Sequence, residues 1–276
     1  MAGHWTLDDI AWDKFDPARV DPETLKAVKA AAMVEANAAD YVTYLNKVFR
    51  DDPEMLEDIR QWGNEEVQHG YALGRWAELA DPEFSFEDAF ARFREGYKIN
   101  EGAEDSVRGA RSLELIARCV VESGTSSFYS GMRDDTAEPV LKQIAANIAA
   151  DEFRHYKLFY EGFLKYQPEE NPNFFKRLWV AMTRVQEAED DELAYAYYAA
   201  NVKPEEEASY PYDRDVYSRA YNKQLLRFYH FPHLRKAVSM IVKPVGLKPT
   251  GVISRGLARM AWWVMRARAK SAGVAA

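Results

Sequence analysis

Two segments of the chain carry the same Glu-x-x-His motif, in which a carboxylate and an imidazole are three residues apart. Glu66 precedes His69 in the first segment, and Glu152 precedes His155 in the second. Residues at this spacing share one face of an α-helix, and the rest of that face is apolar in both segments. Because burying a carboxylate without a partner is costly, the pattern predicts a positive group inside the protein, and a metal ion is the simplest candidate.

Two single glutamates interrupt other apolar helical faces. Glu35 lies on a face that includes Val28 and Leu45, and Glu122 lies on a face that includes Leu115. Four carboxylates would neutralise two divalent ions, so a reduced metal pair could be buried without net charge. Hard carboxylates and imidazoles favour iron, with manganese as the alternative. The predicted cofactor is therefore two iron ions per chain, cycling between Fe²⁺ and Fe³⁺.

The register of the ligands leaves alternatives open. Glu65 and Asp151 each lie four residues before a motif histidine, which is also a helical spacing, although the apolar face favours Glu66 and Glu152. Asp151 is also a candidate to hold the second nitrogen of a ligand histidine, but the sequence does not show which histidine it reaches. The competing interpretation is a set of buried ion pairs without metal.

The ligand pattern also predicts the fold. A Glu from each of two helices, with a Glu-x-x-His from each of two others, is the ligand set of ferritin-like di-metal bundles. We therefore expect an all-α protein: a ferritin-like four-helix bundle with additional helices and a basic, amphipathic C-terminal helix. The expected parts are an N-terminal arm, a di-iron bundle, further helices packed on the bundle, and the basic segment. Their bounds are 1–20, 21–168, 169–245 and 246–276.

Proline and helical periodicity place the individual helices. Asp-Pro and Glu-Pro pairs mark helix starts near residues 21, 52 and 138. The first helix is expected to run unbroken to about Arg50, and another to span 174–200 with Met182 and Val185 on its core side. Another helix is expected over about 213–230. Pro232, Pro244, Gly246, Pro249 and Gly251 then punctuate the chain before the last helix, at roughly 252–270.

A family resemblance rests on three of these segments. Residues 62–70 (WGNEEVQHG) look like the Glu-Glu-x-x-His-Gly motif of soluble acyl-carrier-protein desaturases, and residues 148–155 (IAADEFRH) look like their second motif. Residues 122–125 (ESGT) match their Glu-x-x-Thr. The resemblance covers roughly residues 28–166. The chain is shorter than plant members of that family and its helix connections are tighter.

The resemblance implies an O₂-dependent di-iron oxidoreductase of the desaturase or oxygenase type, acting on a long-chain acyl or other lipid-like substrate. The electron donor would be a ferredoxin or another reductase. By the same resemblance Thr125 is a candidate catalytic residue that assists proton delivery. Its alternative role is a helix-interior Thr bonded to a carbonyl one turn back. Cys119, one turn before Glu122, either lines the cavity or packs in the core.

Charge is distributed very unevenly along the chain. After Asp215 there are 12 Lys and Arg residues and no acids, whereas the preceding residues hold 24 Lys and Arg against 44 acids. The last helix places Arg255 and Arg259 on one face and Ile253 and Met260 on the opposite face. This segment is expected to meet an acidic acyl-carrier protein or an anionic membrane surface, or to pack on the acidic body of the chain or of a homodimer partner.

Composition limits the cellular compartments and partners that are expected for the protein. The single cysteine suits a reducing compartment, and neither a secretory signal nor an apolar run of membrane-spanning length is found. The sequence therefore predicts a cytoplasmic protein, possible peripheral contact with a membrane, and no nucleic-acid partner. Two alternatives to the enzyme are a ferritin-like iron oxidase or store and a metal-free helical adaptor.

Overall fold

The computed structural model describes residues 4–98, 103–187 and 191–271, and over these residues it contains α-helices and short 3₁₀ turns but no strand. This confirms the predicted all-α fold. The described helices are α1 (Pro22–Ala36), α2 (Ala38–Val48), α3 (Pro53–Ala80), α4 (Phe86–Gly96), α5 (Arg111–Asp135), α6 (Pro139–Glu170), α7 (Phe174–Glu187), α8 (Asp191–Asn201), α9 (Arg214–Phe228), α10 (Phe231–Val245) and α11 (Val252–Ser271).

Four long segments surround the centre of the molecule. Helix α5 packs most extensively on α6, while α1 and α2 together cover α3, and contacts between α3 and α6 join the two pairs. Helices α7 and α10 pack on α5, α8 and α9 pack on α1, and α11 packs mainly on α10. The central segments thus bury their apolar faces against one another, and the later helices cover one side of the bundle.

Side-chain caps fix where several helices begin. The Asp21 carboxylate accepts a hydrogen bond from the backbone N–H of Thr24, and Asp52 does the same for Met55. A proline follows each of these caps at the start of the helix, where its missing N–H costs nothing. The Asp-Pro signals in the sequence therefore mark true helix starts.

The predicted single helix from 21 to about Arg50 is wrong, because α1 ends at Ala36 and α2 begins at Ala38. Asn37 interrupts the helical hydrogen-bond pattern, and its side chain donates to Glu192 Oε1 at 3.3 Å. Asparagine side chains compete with helical hydrogen bonding, which explains the break. The break places Glu35 in the last turn of α1.

One expectation about the later helices is also wrong. Met182 and Val185 were expected on the core side of α7 but are 52% and 48% exposed. Helix α10 forms in the segment that the prolines punctuate: Pro232 lies in its first turn, where proline is tolerated, and Pro244 lies two residues before the C-cap Gly246. Whether α7 and α8 are one helix depends on residues 188–190, which lie outside the described residues.

The N-terminal residues lie across α3 and α6. The backbone N–H of Ala11 donates to Gln143 Oε1 at 2.9 Å, and that of Asp16 donates to Glu138 Oε1 at 3.1 Å. Phe15 packs edge-on against Trp76, with ring centroids 6.4 Å apart. Residues 1–3 of the predicted arm lie outside the described residues, as do residues 272–276 of the predicted C-terminal segment.

Helix α11 does not bury the apolar face that its sequence predicts. The residues it buries are small, including Ser254 at 3% and Ala258 at 1% exposure. Ile253, Met260 and Trp263 remain largely exposed. Small residues allow α11 to lie close to its neighbours, and its large apolar side chains are left on the surface.

Candidate metal centre

Six buried side chains from four helices meet at the centre of the bundle. They are Glu35 of α1, Glu66 and His69 of α3, Glu122 of α5, and Glu152 and His155 of α6. None is more than 7% exposed. The three-residue spacing in α3 and α6 points each Glu and His to the same side, as the sequence predicts. All six residues predicted as metal ligands therefore lie in one cluster.

The six side chains divide into two overlapping groups. In each group, four ligand atoms lie within 4.8 Å of one another, which is close enough to surround one ion. The first group contains Glu35 and His69, and the second contains Glu122 and His155. Glu66 and Glu152 belong to both groups. This arrangement provides two adjacent metal positions with two carboxylates able to bridge them.

Glu66 lies close to both imidazoles of the cluster. Its Oε2 lies 3.6 Å from His69 Nδ1, while its Oε1 lies 3.1 Å from His155 Nδ1. Glu152 Oε1 lies 3.5 Å and 4.0 Å from the same two nitrogens. Glu35 Oε2 approaches only His69 Nδ1, at 3.6 Å. Glu66 and Glu152 thus lie between the two imidazoles, and Glu35 lies at one end.

The atoms that face the centre have no hydrogen-bond partner among the described residues. These buried atoms are His69 Nδ1, His155 Nδ1, Glu152 Oε1 and both carboxylate oxygens of Glu122. Buried polar atoms are almost always paired, so several unpaired atoms converging on one point call for a missing partner. Hard carboxylate oxygens and imidazole nitrogens together suit a divalent ion such as iron or manganese. The residues present therefore fit a metal pair.

A second set of carboxylates fixes the orientation of the two imidazoles. Asp151 Oδ2 of α6 lies 3.0 Å from His69 Nε2, and Glu65 Oε2 of α3 lies 2.8 Å from His155 Nε2. Each helix thus supplies the acceptor for the histidine of the other helix. An Nε2–H donor leaves Nδ1 deprotonated and directed at the centre, which is the tautomer that a metal requires.

Glu65 and Asp151 therefore lie outside the two ligand groups, which favours the register with Glu66 and Glu152. Arg154 joins these outer carboxylates, because its guanidinium lies 2.6 Å from Asp151 Oδ1 and 3.0 Å from Glu65 Oε2. Trp5 Nε1 donates to Asp151 Oδ2 at 2.7 Å, and the indole stacks on the His69 ring with centroids 5.9 Å apart. These contacts leave the outer carboxylates little freedom to rotate.

The pKa shifts in the metal-free cluster show that its carboxylates favour positive charge at the centre. Burial alone would lower the pKa of His155, but the hydrogen bond to Glu65 and the nearby carboxylate of Glu66 raise it to about 9. Burial would raise the pKa of Glu65, but the hydrogen bond from His155 lowers it to about 2. Burial and neighbouring carboxylates raise the pKa values of Glu35 and Glu122 well above their usual range. Protons thus take the place of the cations that the carboxylates would otherwise bind.

A glycine allows α1 and α3 to approach each other beside the cluster. A Cβ atom on Gly70 would lie only 2.6 Å from the backbone nitrogen of Ala36. Gly70 directly follows His69, and Ala36 directly follows Glu35. The close contact between the two backbones therefore brings the first pair of ligands together.

The hydroxyl of Thr125 lies beside the cluster and makes the predicted contact with a carbonyl one turn back. It is 3.3 Å from the carbonyl oxygen of Val121, one turn back, and it also donates a hydrogen bond to Glu152 Oε2. Tyr129, one turn further along α5, donates its hydroxyl to Glu35 Oε1. The sequence analysis missed this role of Tyr129, although its spacing from Glu122 on one helical face was a usable signal.

A cavity of about 210 Å³ adjoins the cluster on the side covered by α7, α8 and α9. Glu35, Glu66, Glu122, Glu152 and Thr125 form part of its wall. The apolar part of the wall includes Ala31, Val34, Val121, Phe128 and Leu225. Cys119 is fully buried and does not line this cavity, which agrees with its core interpretation. The cluster is thus accessible from a mostly apolar space.

Comparison with known proteins adds no identification. No protein-family model matches the chain, and no curated protein matches it. No described helix combines the length and apolar character of a membrane span. The function therefore has to be inferred from the buried cluster and its cavity.

Proposed function

We propose that the chain is an O₂-dependent di-iron oxidoreductase, of the desaturase or oxygenase type, that acts on a long-chain acyl or other lipid-like substrate. The observation that carries this proposal is the pair of overlapping ligand groups, which share Glu66 and Glu152 and open into an apolar cavity. Two irons, when bound, would supply electrons to O₂ for attack on an unactivated carbon, and a ferredoxin or another reductase would replace those electrons.

The ligands match a reduced metal pair in charge as well as in position. Four carboxylates compensate two divalent ions, so the loaded centre is neutral and its burial costs little. Glu35 and Glu122 would each bind one ion, at opposite ends of the pair. Glu66 and Glu152 would hold both ions and keep them at a fixed separation.

Residues around the ligands have separate tasks in this proposal. Asp151 and Glu65 hold the imidazoles in the metal-binding tautomer. The Thr125 hydroxyl can hold or pass a proton at Glu152 Oε2, since it donates to that atom and lines the cavity. The apolar wall excludes water, which strengthens electrostatic interactions at the centre and limits side reactions.

The enclosed volume is compatible with part of an aliphatic chain. A cavity of about 210 Å³ is smaller than the roughly 300–1,000 Å³ that is typical of pockets for drug-sized ligands. It would take the reacting part of an aliphatic chain rather than a bulky ring system.

A partner would deliver the substrate. The exposed basic and apolar surface of α11 suits an anionic partner. That partner would be a membrane surface or an acyl-carrier protein.

Anaerobic loading with Fe²⁺ followed by addition of O₂ tests the proposal. We expect about two irons per chain, O₂ consumption, and a new near-ultraviolet to visible absorption band. His155→Ala should lose most of the iron, whereas His230→Ala should not, because His230 lies at the surface against Asp135. Full iron content in His155→Ala, or a chain that assembles into a large iron-filled cage, would contradict the proposal.

A further inference from the structure

Arg118 is a buried cation at the wall of the cavity. It lies on α5 one helical turn before Glu122, is 6% exposed, and lines the same cavity as the cluster. Its Nε atom is buried without a hydrogen-bond partner. Within residues 4–98, 103–187 and 191–271 its guanidinium forms no ion pair, and it lies over the ring of Tyr41, 5.1 Å from the centroid.

Two other cations with little side-chain exposure, Lys29 at 10% and Arg108 at 18%, have carboxylate partners. Lys29 Nζ lies 2.6 Å from Asp81 Oδ2, and Arg108 Nη1 lies 2.8 Å from Glu187 Oε1. A buried charge without a partner is strongly unfavourable, so such a residue calls for an anion that completes it. Arg118 therefore differs from these residues in the way expected of a binding group.

Two acids that line the cavity beside Arg118, Glu187 and Glu192, accept hydrogen bonds from other donors, while Glu122 faces the metal cluster. Both carboxylate oxygens of Glu187 accept hydrogen bonds from Arg108. Glu192 accepts a hydrogen bond from the Tyr41 hydroxyl at 2.6 Å. Arg184 also lines the cavity with its Nε unpartnered, and its nearest approach to Glu187 is 3.8 Å. Arg118 thus has no ion-pair partner at this end of the cavity, and Arg184 has only a long ion pair.

We propose that Arg118, assisted by Arg184, binds the carboxylate of the substrate, and that the substrate is a free amphiphilic carboxylic acid. Its aliphatic part would extend along the apolar wall towards Glu122 and Glu152. A planar guanidinium matches a carboxylate with two parallel hydrogen bonds, which fixes the direction in which the chain enters. An acyl thioester on a carrier protein has no carboxylate and would leave Arg118 unpaired. This inference rests on the proposed function for the reaction, but the binding step can be measured without iron.

Calorimetric titration of the full chain, both metal-free and iron-loaded, compares octanoate with 1-octanol. The two probes share an alkyl chain and differ in the charged group. We expect octanoate to bind at least about tenfold more tightly than 1-octanol, because a hydrogen bond to a charged group adds roughly 1.5–3 kcal/mol and about 1.4 kcal/mol corresponds to tenfold. Octyl phosphate is the third probe, and tighter binding of it than of octanoate would overturn the assignment to a carboxylate.

Substitutions locate the binding group. Arg118→Gln should remove the preference for octanoate, and Arg118→Lys should keep part of it. Arg177→Gln is the matched control, because Arg177 also has an unpartnered buried Nε but does not line the cavity. Unchanged octanoate binding in Arg118→Gln, or equal binding of octanoate and 1-octanol to the unaltered chain, would refute the inference. If Arg118→Gln does not fold, Arg184→Gln and the comparison of the probes on the unaltered chain still test whether a guanidinium group binds the carboxylate.

The outcomes separate this inference from the proposed function. Octanoate binding to the metal-free chain, without iron uptake on loading, would support the carboxylate site and contradict the di-iron enzyme. Iron uptake and O₂ consumption without octanoate binding would support the enzyme and refute the role of Arg118.

Discussion

Replacing Asp151 with Asn tests whether the outer carboxylates hold the histidine ligands. Asp151 Oδ2 lies 3.0 Å from His69 Nε2 and 2.7 Å from Trp5 Nε1, and Oδ1 lies 2.6 Å from Arg154. Asparagine has nearly the same shape, but it is neutral and presents an NH₂ group where one carboxylate oxygen was. Arg154 loses its acceptor if the NH₂ group takes the place of Oδ1, and both His69 and Trp5 lose theirs if it takes the place of Oδ2.

The expected magnitude follows from these contacts. A hydrogen bond to a charged group contributes about 1.5–3 kcal/mol to stability, whereas a hydrogen bond between neutral groups contributes about 0.5–1.5 kcal/mol. The loss of charge alone therefore weakens the hydrogen bond to His69 by roughly 1–1.5 kcal/mol. About 1.4 kcal/mol corresponds to tenfold in affinity. With the displaced donor included, we expect metal affinity to fall by roughly 10- to 100-fold, which is the usual effect of losing such a partner.

Competition for Fe²⁺ between the protein and a chromophoric chelator, without O₂, measures the two binding steps. Asp151→Asn should weaken mainly the metal position that contains His69, and Glu65→Gln mainly the position that contains His155. Asp134→Asn is the matched control, because Asp134 also accepts from a histidine, at 2.9 Å from His233 Nε2, but lies at the surface. Unchanged affinity in both outer-carboxylate variants, or an equal loss in Asp134→Asn, would refute the reasoning.

Three further predictions address other parts of the molecule. Thr125→Val should keep full iron content but change the ratio of product formed to O₂ consumed, and an unchanged ratio in coupled turnover assays would leave Thr125 with only its helix hydrogen bonds. Gly70→Ala should destabilise the fold by about 1–3 kcal/mol in denaturant titration, because its methyl group would press on Ala36. Gly256→Ala, with open space around its Cβ, is the control and should not destabilise. Deleting residues 252–276 should spare the iron site but abolish salt-sensitive binding to anionic vesicles or to acyl-carrier protein, whichever the intact chain binds. Equal binding by the truncated chain would show that residues 252–276 do not form the docking surface and have only a structural role.

The central ligands could be predicted from sequence because helical spacing translates directly into spatial proximity. Glu66 and His69 share a face for a purely geometric reason, and their apolar neighbours force that face inward. The same spacing rule could not decide the role of Glu65, since positions three and four residues away are both neighbours on a helix. Only the packing of α3 against α6 places Glu65 on His155 rather than at the centre.

Errors in the fold prediction arose where one residue competes with helical periodicity. Asn37 breaks a continuous apolar pattern through its own side-chain contact with Glu192. Pro232 and Pro244 punctuate the sequence after residue 230, but both lie within α10. Arg118 carried no signal at all, because an arginine on a helix is ordinarily exposed and its burial depends on helices that lie far away in sequence.

Crystallography of the iron-loaded chain, with anomalous scattering recorded at the iron edge, tests the central claim most directly. We expect two anomalous peaks, one beside His69 Nδ1 and the other beside His155 Nδ1, with Glu66 and Glu152 contacting both ions. A single peak, peaks elsewhere in the molecule, or no peak after loading with Fe²⁺ would contradict a di-iron centre in this bundle.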